Sequence, residues 1–125
     1  SDDATRVAVL VLLVASSVAI ADDSACALGE NCTISGEIVL FLTPPKFTSV
    51  LDTEAYCVPL ALPKSVYAEH ETWNKKRVVL RGRAFPNYKS DDAILTWDVL
   101  GRDVTASICD ESPYIIYVEE ISLAE

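Results

Sequence analysis

The stretch KKRVVLRGRAF, residues 75–85, holds five of the chain's ten basic residues and no acidic one, in a protein of net charge −9. Its apolar residues alternate. Val78, Leu80, Gly82 and Ala84 fall on one side of an extended chain, and Arg77, Val79, Arg81, Arg83 and Phe85 on the other. A period of two with small and aliphatic residues on a single face is the mark of a half-buried strand. Gly82 within that strand signals a bulge or a close backbone approach. The three arginines and Phe85 then share the outer surface.

Working back along the chain, CTISGEIVLFL (32–42) repeats the pattern. Ile34, Ile38, Leu40 and Leu42 point one way, with Gly36 in the same register, while Thr33, Ser35 and Glu37 point the other. TPPKFTSVLDTE (43–54) reads as a proline-marked loop, and AYCVPLAL (55–62) as a second strand. Pro59 confines that strand to an edge or an irregular position. In PKSVYAEHETWN (63–74) the period changes: Val66, His70 and Trp73 stand at i, i+4 and i+7, which predicts one short helix of about ten residues. Beyond the basic segment, AILTWDVLG (93–101) reads as a strand and YIIYVEEI (114–121) as a strong final one.

Short strands, two of them bent at glycines, and one short helix imply a mainly β chain closed, or partly closed, into a small barrel. TISGEIV, KRVVLRGRAF and YIIYVEEI together resemble the OB-fold pattern of small exported bacterial proteins, over roughly residues 32–121. The resemblance implies an early strand coiled around both halves of the barrel and a helix plugging one end. It implies no single function, because OB-folds host many. The segment 93–112 departs from the pattern, adding a strand-like piece and Cys109 where a shorter connection would suffice.

The 125 residues suffice for one domain, expected over 22–125. VAVLVLLVASSVAIA (7–21) is a nearly unbroken apolar run of fifteen that follows Arg6 and ends in small residues. As a helix it would rise about 22 Å, less than a bilayer requires. Residues 1–21 therefore read as a signal peptide cleaved after Ala21, lying outside the barrel. A membrane association would follow only from an uncleaved anchor. Cys26, Cys32, Cys57 and Cys109 contain no Cys-x-x-Cys pair, and His70 is the sole histidine, so two disulfides are expected rather than a zinc site. Of the three connectivities, Cys26–Cys32 with Cys57–Cys109 is favoured, in a periplasmic or secreted protein.

The inventory for catalysis is poor. Gly-x-Ser-x-Gly, a glycine-rich phosphate loop and a calcium loop are all missing, and His70 shares its stripe with Val66 and Trp73, a packing position. The reading is of a non-catalytic binding or structural module with no cofactor. Two alternatives stand beside it. Arg77, Arg81, Arg83, Phe85 and Tyr88 could form a face for a carbohydrate or polyanion, the cation and aromatic mixture that OB-folds use. Residues 75–90 carry +6, however, which leaves −15 on the rest of the chain and opposes nucleic acid. The acidic remainder would instead suit an inhibitor of a cationic protein. Structurally, Glu119 or Glu120 of the last strand could lie opposite Arg81 or Arg83 and simply balance them. Strand alternation would put Glu119 and Glu120 on opposite faces.

Overall fold

The computed structural model describes residues 26–88, 96–106 and 108–124. The apolar run and the proposed cleavage point lie outside them, as do Lys89 and Asp91-Asp92. Five strands close a barrel: β1 (Asn31–Phe41), β2 (Thr48–Asp52), β3 (Cys57–Ala61), β4 (Arg77–Pro86) and, last in the chain, β7 (Tyr114–Leu123). Around the barrel the order is β1-β2-β3-β7-β4, returning to β1. Helices α1 (Lys64–Ala68) and α2 (His70–Trp73) connect β3 to β4. The strand order and the place of the helices make this an OB-like barrel. Strands β5 (Thr96–Val99) and β6 (Arg102–Thr105) form a separate hairpin inserted between β4 and β7.

The alternation read from residues 77–85 is the one observed: Val78, Leu80 and Ala84 are fully buried, and Arg77, Arg81 and Arg83 are exposed. They join Ile34, Ile38, Leu51, Val58, Leu60, Ile116 and Val118 in the barrel core. Burial of such side chains contributes about 1.5–3 kcal/mol each. Strand β1 pairs with β4 over Asn31–Glu37 and with β2 over Glu37–Phe41, so it belongs to both halves. Gly36 stands at the changeover, where a Cβ would run into the Asp52 carbonyl oxygen. Gly82 occupies the equivalent place against Tyr117, at the β4–β7 bulge. Both glycines are required by backbone approach, as their place in alternating strands suggested.

Within 43–54, read from the sequence as a loop, Thr48–Asp52 forms strand β2, which pairs with both β1 and β3 because Val50 and Leu51 are buried on its two faces. Three further expectations change. The single helix is two, because Glu69 leaves helical geometry (φ −111°, ψ 40°) and its N–H is shared between the Ser65 and Val66 carbonyls. Val66 and Tyr67 of α1 are buried and Trp73 of α2 packs on the core, while His70 is only half-buried. Of the strand expected over 93–101, residues 93–95 lie outside the described ones, Thr96–Val99 form β5, and Leu100 and Gly101 belong to a turn instead. The third change concerns the last strand. Arg81 pairs with Glu120 and Gly82 with Val118, so Glu119 is the extra residue of a bulge. Val118 and Ile121 both face the core, which leaves Glu119 and Glu120 together outside.

Cys26 is bonded to Cys32 and Cys57 to Cys109, the favoured pairing. A loop the length of the second stabilises by about 4 kcal/mol in the chain-entropy model. Paired cysteines in so small a domain are typical of oxidising compartments.

Two outcomes follow for stability. Gly82→Ala should lower it by about 3 kcal/mol, since the obstacle is main chain that cannot rotate away; urea unfolding measures this. At the hairpin tip, Leu100 (φ 49°) and Gly101 (φ 87°) form a two-residue turn with both φ values positive. Leu100 is 70% exposed, so it offsets this backbone strain with little burial. Leu100→Asn should raise stability by about 1 kcal/mol, seen as a melting temperature higher by about 4 °C.

Candidate functional site

The basic face sits on β4 between two neighbours that supply carboxylates. Across from Arg77 lies Glu37 of β1, and its guanidinium reaches Glu54 at 3.9 Å. Arg81 has Thr33 on one side and Glu120 on the other, with Nε 3.7 Å from Glu120 Oε1. Arg83 lies between Asn31 and Tyr117 and has no ion pair among the described residues. Exposed pairs of this kind contribute about 0.2–1 kcal/mol each. Their geometry fits charge balance across neighbouring strands.

Of the aromatic residues named with these arginines, Phe85 is half-buried and Tyr88 is exposed. Phe85 meets the Tyr117 ring edge-on, at 6.1 Å and 85°. Tyr88 lies beyond the strand and packs on Trp97 of β5 at 5.5 Å. Both belong to the support of the hairpin. Val99 and Val104 bury themselves against Ala61 and Ile115, with Phe85, Trp97 and Tyr117 packed around them. This second apolar cluster lies outside the barrel, and β6 runs along β2 and β3. Val50, Pro59 and Ala61, on the outer faces of those two strands, are all buried, while Asp52 at the end of β2 is exposed. An OB-fold takes single strands or sugars on that face. Here the chain's own hairpin occupies it.

Arg102 fixes the hairpin there. It donates from one terminal nitrogen to the Ala61 carbonyl (2.9 Å) and the Val118 carbonyl (2.8 Å). Its guanidinium carbon stands 3.9 Å over the Tyr117 ring, a cation–π contact. Nothing in RDVTASIC distinguished this arginine from a surface one; only the fold shows that its donors are committed. Arg102→Met keeps much of the stem and leaves two carbonyls without their charged donor. It should lower stability by about 2–3 kcal/mol, measured by denaturant unfolding.

Several clefts open on the described surface. One, about 360 Å³, lies between the β1–β2 loop, α1 and the hairpin, among Phe47, Leu62, Lys64, Tyr67 and Asp103. Lys46 meets Asp103 at 3.7 Å. The Tyr67 hydroxyl is 2.9 Å from Ser49 Oγ in the interior, and burial pushes the phenol up to about 12 despite that hydrogen bond. Such a phenol stays protonated while the unfolded chain ionises from about 10, so it contributes stability that is lost as pH rises beyond that value.

The larger groove, about 600 Å³, is framed by both disulfides, with Cys26, Cys57 and Cys109 in its walls. Leu28, Ala55, Tyr56, Asp110, Glu111 and Tyr114 complete it. The Tyr56 and Tyr114 hydroxyls are 3.3 Å apart; burial first, and then this hydrogen bond, raise the Tyr114 phenol well above its ordinary range. The groove had no separate signal in the sequence. The cysteine pairing that brings residues 26, 57 and 109 together was the one hint available.

Among the described residues no group of three or more His, Cys, Asp or Glu side chains could hold a metal ion, and no helix is long and apolar enough to cross a membrane. No protein-family model, curated protein or solved structure matches the chain.

Proposed function

We propose that this chain is a non-catalytic binding module of a periplasmic or secreted setting, and that it takes a protein partner of basic character. The observation that carries the reading is the covered β2–β3 face. With β6 seated along those strands, Val50, Pro59 and Ala61 are withdrawn from solvent. An oligonucleotide or sugar chain would have to displace the chain's own apolar cluster. The net charge of −9 favours a cationic partner through long-range attraction, and two disulfides suit an oxidising compartment.

A second reading keeps one observation in its favour: Arg83 is exposed with no carboxylate answering it among the described residues. A polyanion could use it together with Arg81. The variant R81E/R83E separates the two readings. On the proposed function, a basic partner co-purified from secreted or periplasmic extract binds the double variant at least as well as the parent. Neither protein is then retained on heparin at about 0.15 M salt. Retention of the parent on heparin, lost in the double variant, would replace this reading with the polyanion one.

A further inference from the structure

The two disulfides bring three separate stretches of chain around one groove. Cys26–Cys32 ties the segment before β1 to that strand, and Cys57–Cys109 ties the start of β3 to the approach to β7. The walls are therefore held in place before any ligand arrives, which lowers the ordering that binding must impose. The floor is aromatic, from Tyr56 and the buried Tyr114. Leu28, 53% exposed on the wall, and the aromatic floor together give the groove an apolar surface in contact with solvent.

Among the described residues that line this groove, the charged ones are the acids Asp110 and Glu111. Glu30 follows Leu28 in the chain, and Asp52 and Glu54 precede Ala55 on the adjoining turn. Glu54 of that turn meets Arg77 of β4 at 3.9 Å. By contrast the smaller cleft carries Lys64 and Arg102 beside Asp103. An apolar and aromatic floor with carboxylates at the lip is complementary to a basic side chain whose aliphatic stem lies along the rings and whose charge meets the acids. Asp110 and Glu111 also sit on a segment anchored by Asn87, whose side-chain amide donates to the Cys109 and Ser112 carbonyls.

Building on the proposed function, we infer that the groove bounded by Leu28, Ala55, Tyr56, Asp110, Glu111 and Tyr114 is the docking site for a basic segment of a partner protein. That segment is an exposed Lys or Arg beside an apolar residue, the first for the acidic lip and the second for Leu28. The groove contributes pre-formed shape, and the field of the whole chain speeds encounter.

The test uses the full chain and the peptide acetyl-Lys-Leu-Lys-Leu-Lys-amide as probe, followed by calorimetry and by side-chain NMR shifts. D110K/E111K reverses the lip. E69K/E71K makes the same change in net charge on the exposed surface of the helical connection, away from the groove. The expected result is at least a tenfold loss of affinity for D110K/E111K and less than twofold for E69K/E71K. Leu28→Ser should lose about threefold, and the shifts should centre on Tyr56 and Leu28. Melting curves show that each variant remains folded. Equal losses in the two charge-reversed variants would overturn the groove and leave a diffuse acidic surface, with the proposed function intact. Absence of binding by the parent would overturn the groove. If the parent also recovers no basic partner from extract, the proposed function falls with it. Shifts already present at the groove in the free full chain, and removed when residues 1–21 are deleted, would assign the groove to the chain's own apolar run and overturn the inference.

Discussion

Closure of the barrel depends on its thinnest join, the seam between β3 and β7. These strands run parallel and pair only through Leu60 with Ile116 and Ala61 with Tyr117, whereas β4 and β7 are matched along nearly their whole length. Two residues of ladder would leave the edges of β3 and β7 open to water or to another strand. Arg102 spans the seam from outside, joining the Ala61 carbonyl on one strand to the Val118 carbonyl on the other. The Cys57–Cys109 bond joins the start of β3 to the chain just before β7. One polar clamp and one covalent clamp thus hold shut what backbone pairing alone closes weakly.

Both clamps are carried by the segment between β4 and β7, which explains why that connection is longer than a barrel requires. Arg102 opens β6, and Cys109 lies on the way from β6 to β7. The hairpin buries Val99 and Val104 on the barrel's outer wall, so the seam is covered as well as bridged. Pro59, which cannot donate a backbone hydrogen bond, is tolerated inside β3 because that strand meets β7 only beyond it. The same cover that completes the fold withdraws the β2–β3 face from ligands. Structural need and binding surface are in competition there, and structure takes the face. Binding is left to the clefts at the margins of the hairpin and of the disulfides.

How far the sequence discloses this depends on the range of the interaction involved. Alternation is local, so the inner and outer faces of residues 77–85 and 32–42 are legible from side-chain type alone. Gly36 and Gly82 are legible as bends for the same reason, although the carbonyls they accommodate, Asp52 and Tyr117, are not. The bulge at Glu119 escapes that reading because one inserted residue shifts every later side chain to the other face, and only the partner strand reveals the insertion. The break at Glu69 escapes because the stripe of Val66, His70 and Trp73 fits one helix as well as two short ones. Arg102 is the extreme case. Its partners are carbonyls forty-one residues before it and sixteen after it, and a carbonyl has no signature in sequence.

The basic strand now has an account that needs no ligand for two of its arginines. Had Glu119 and Glu120 alternated as neighbours in a regular strand do, one of them would have turned into the core beside Leu80, an uncompensated buried charge. The bulge opposite Arg81 and Gly82 avoids this by giving both carboxylates to the surface, where Glu120 meets Arg81. The glycine is what allows β7 to approach closely enough for the bulge to form, since any side chain at 82 would strike Tyr117. Gly82, Glu119 and the Arg81–Glu120 pair are therefore parts of one arrangement: a bend in the barrel, the extra residue that accommodates it, and the charges that the extra residue brings to the outer face. The concentration of positive charge on β4 answers a concentration of negative charge that the barrel's curvature places beside it.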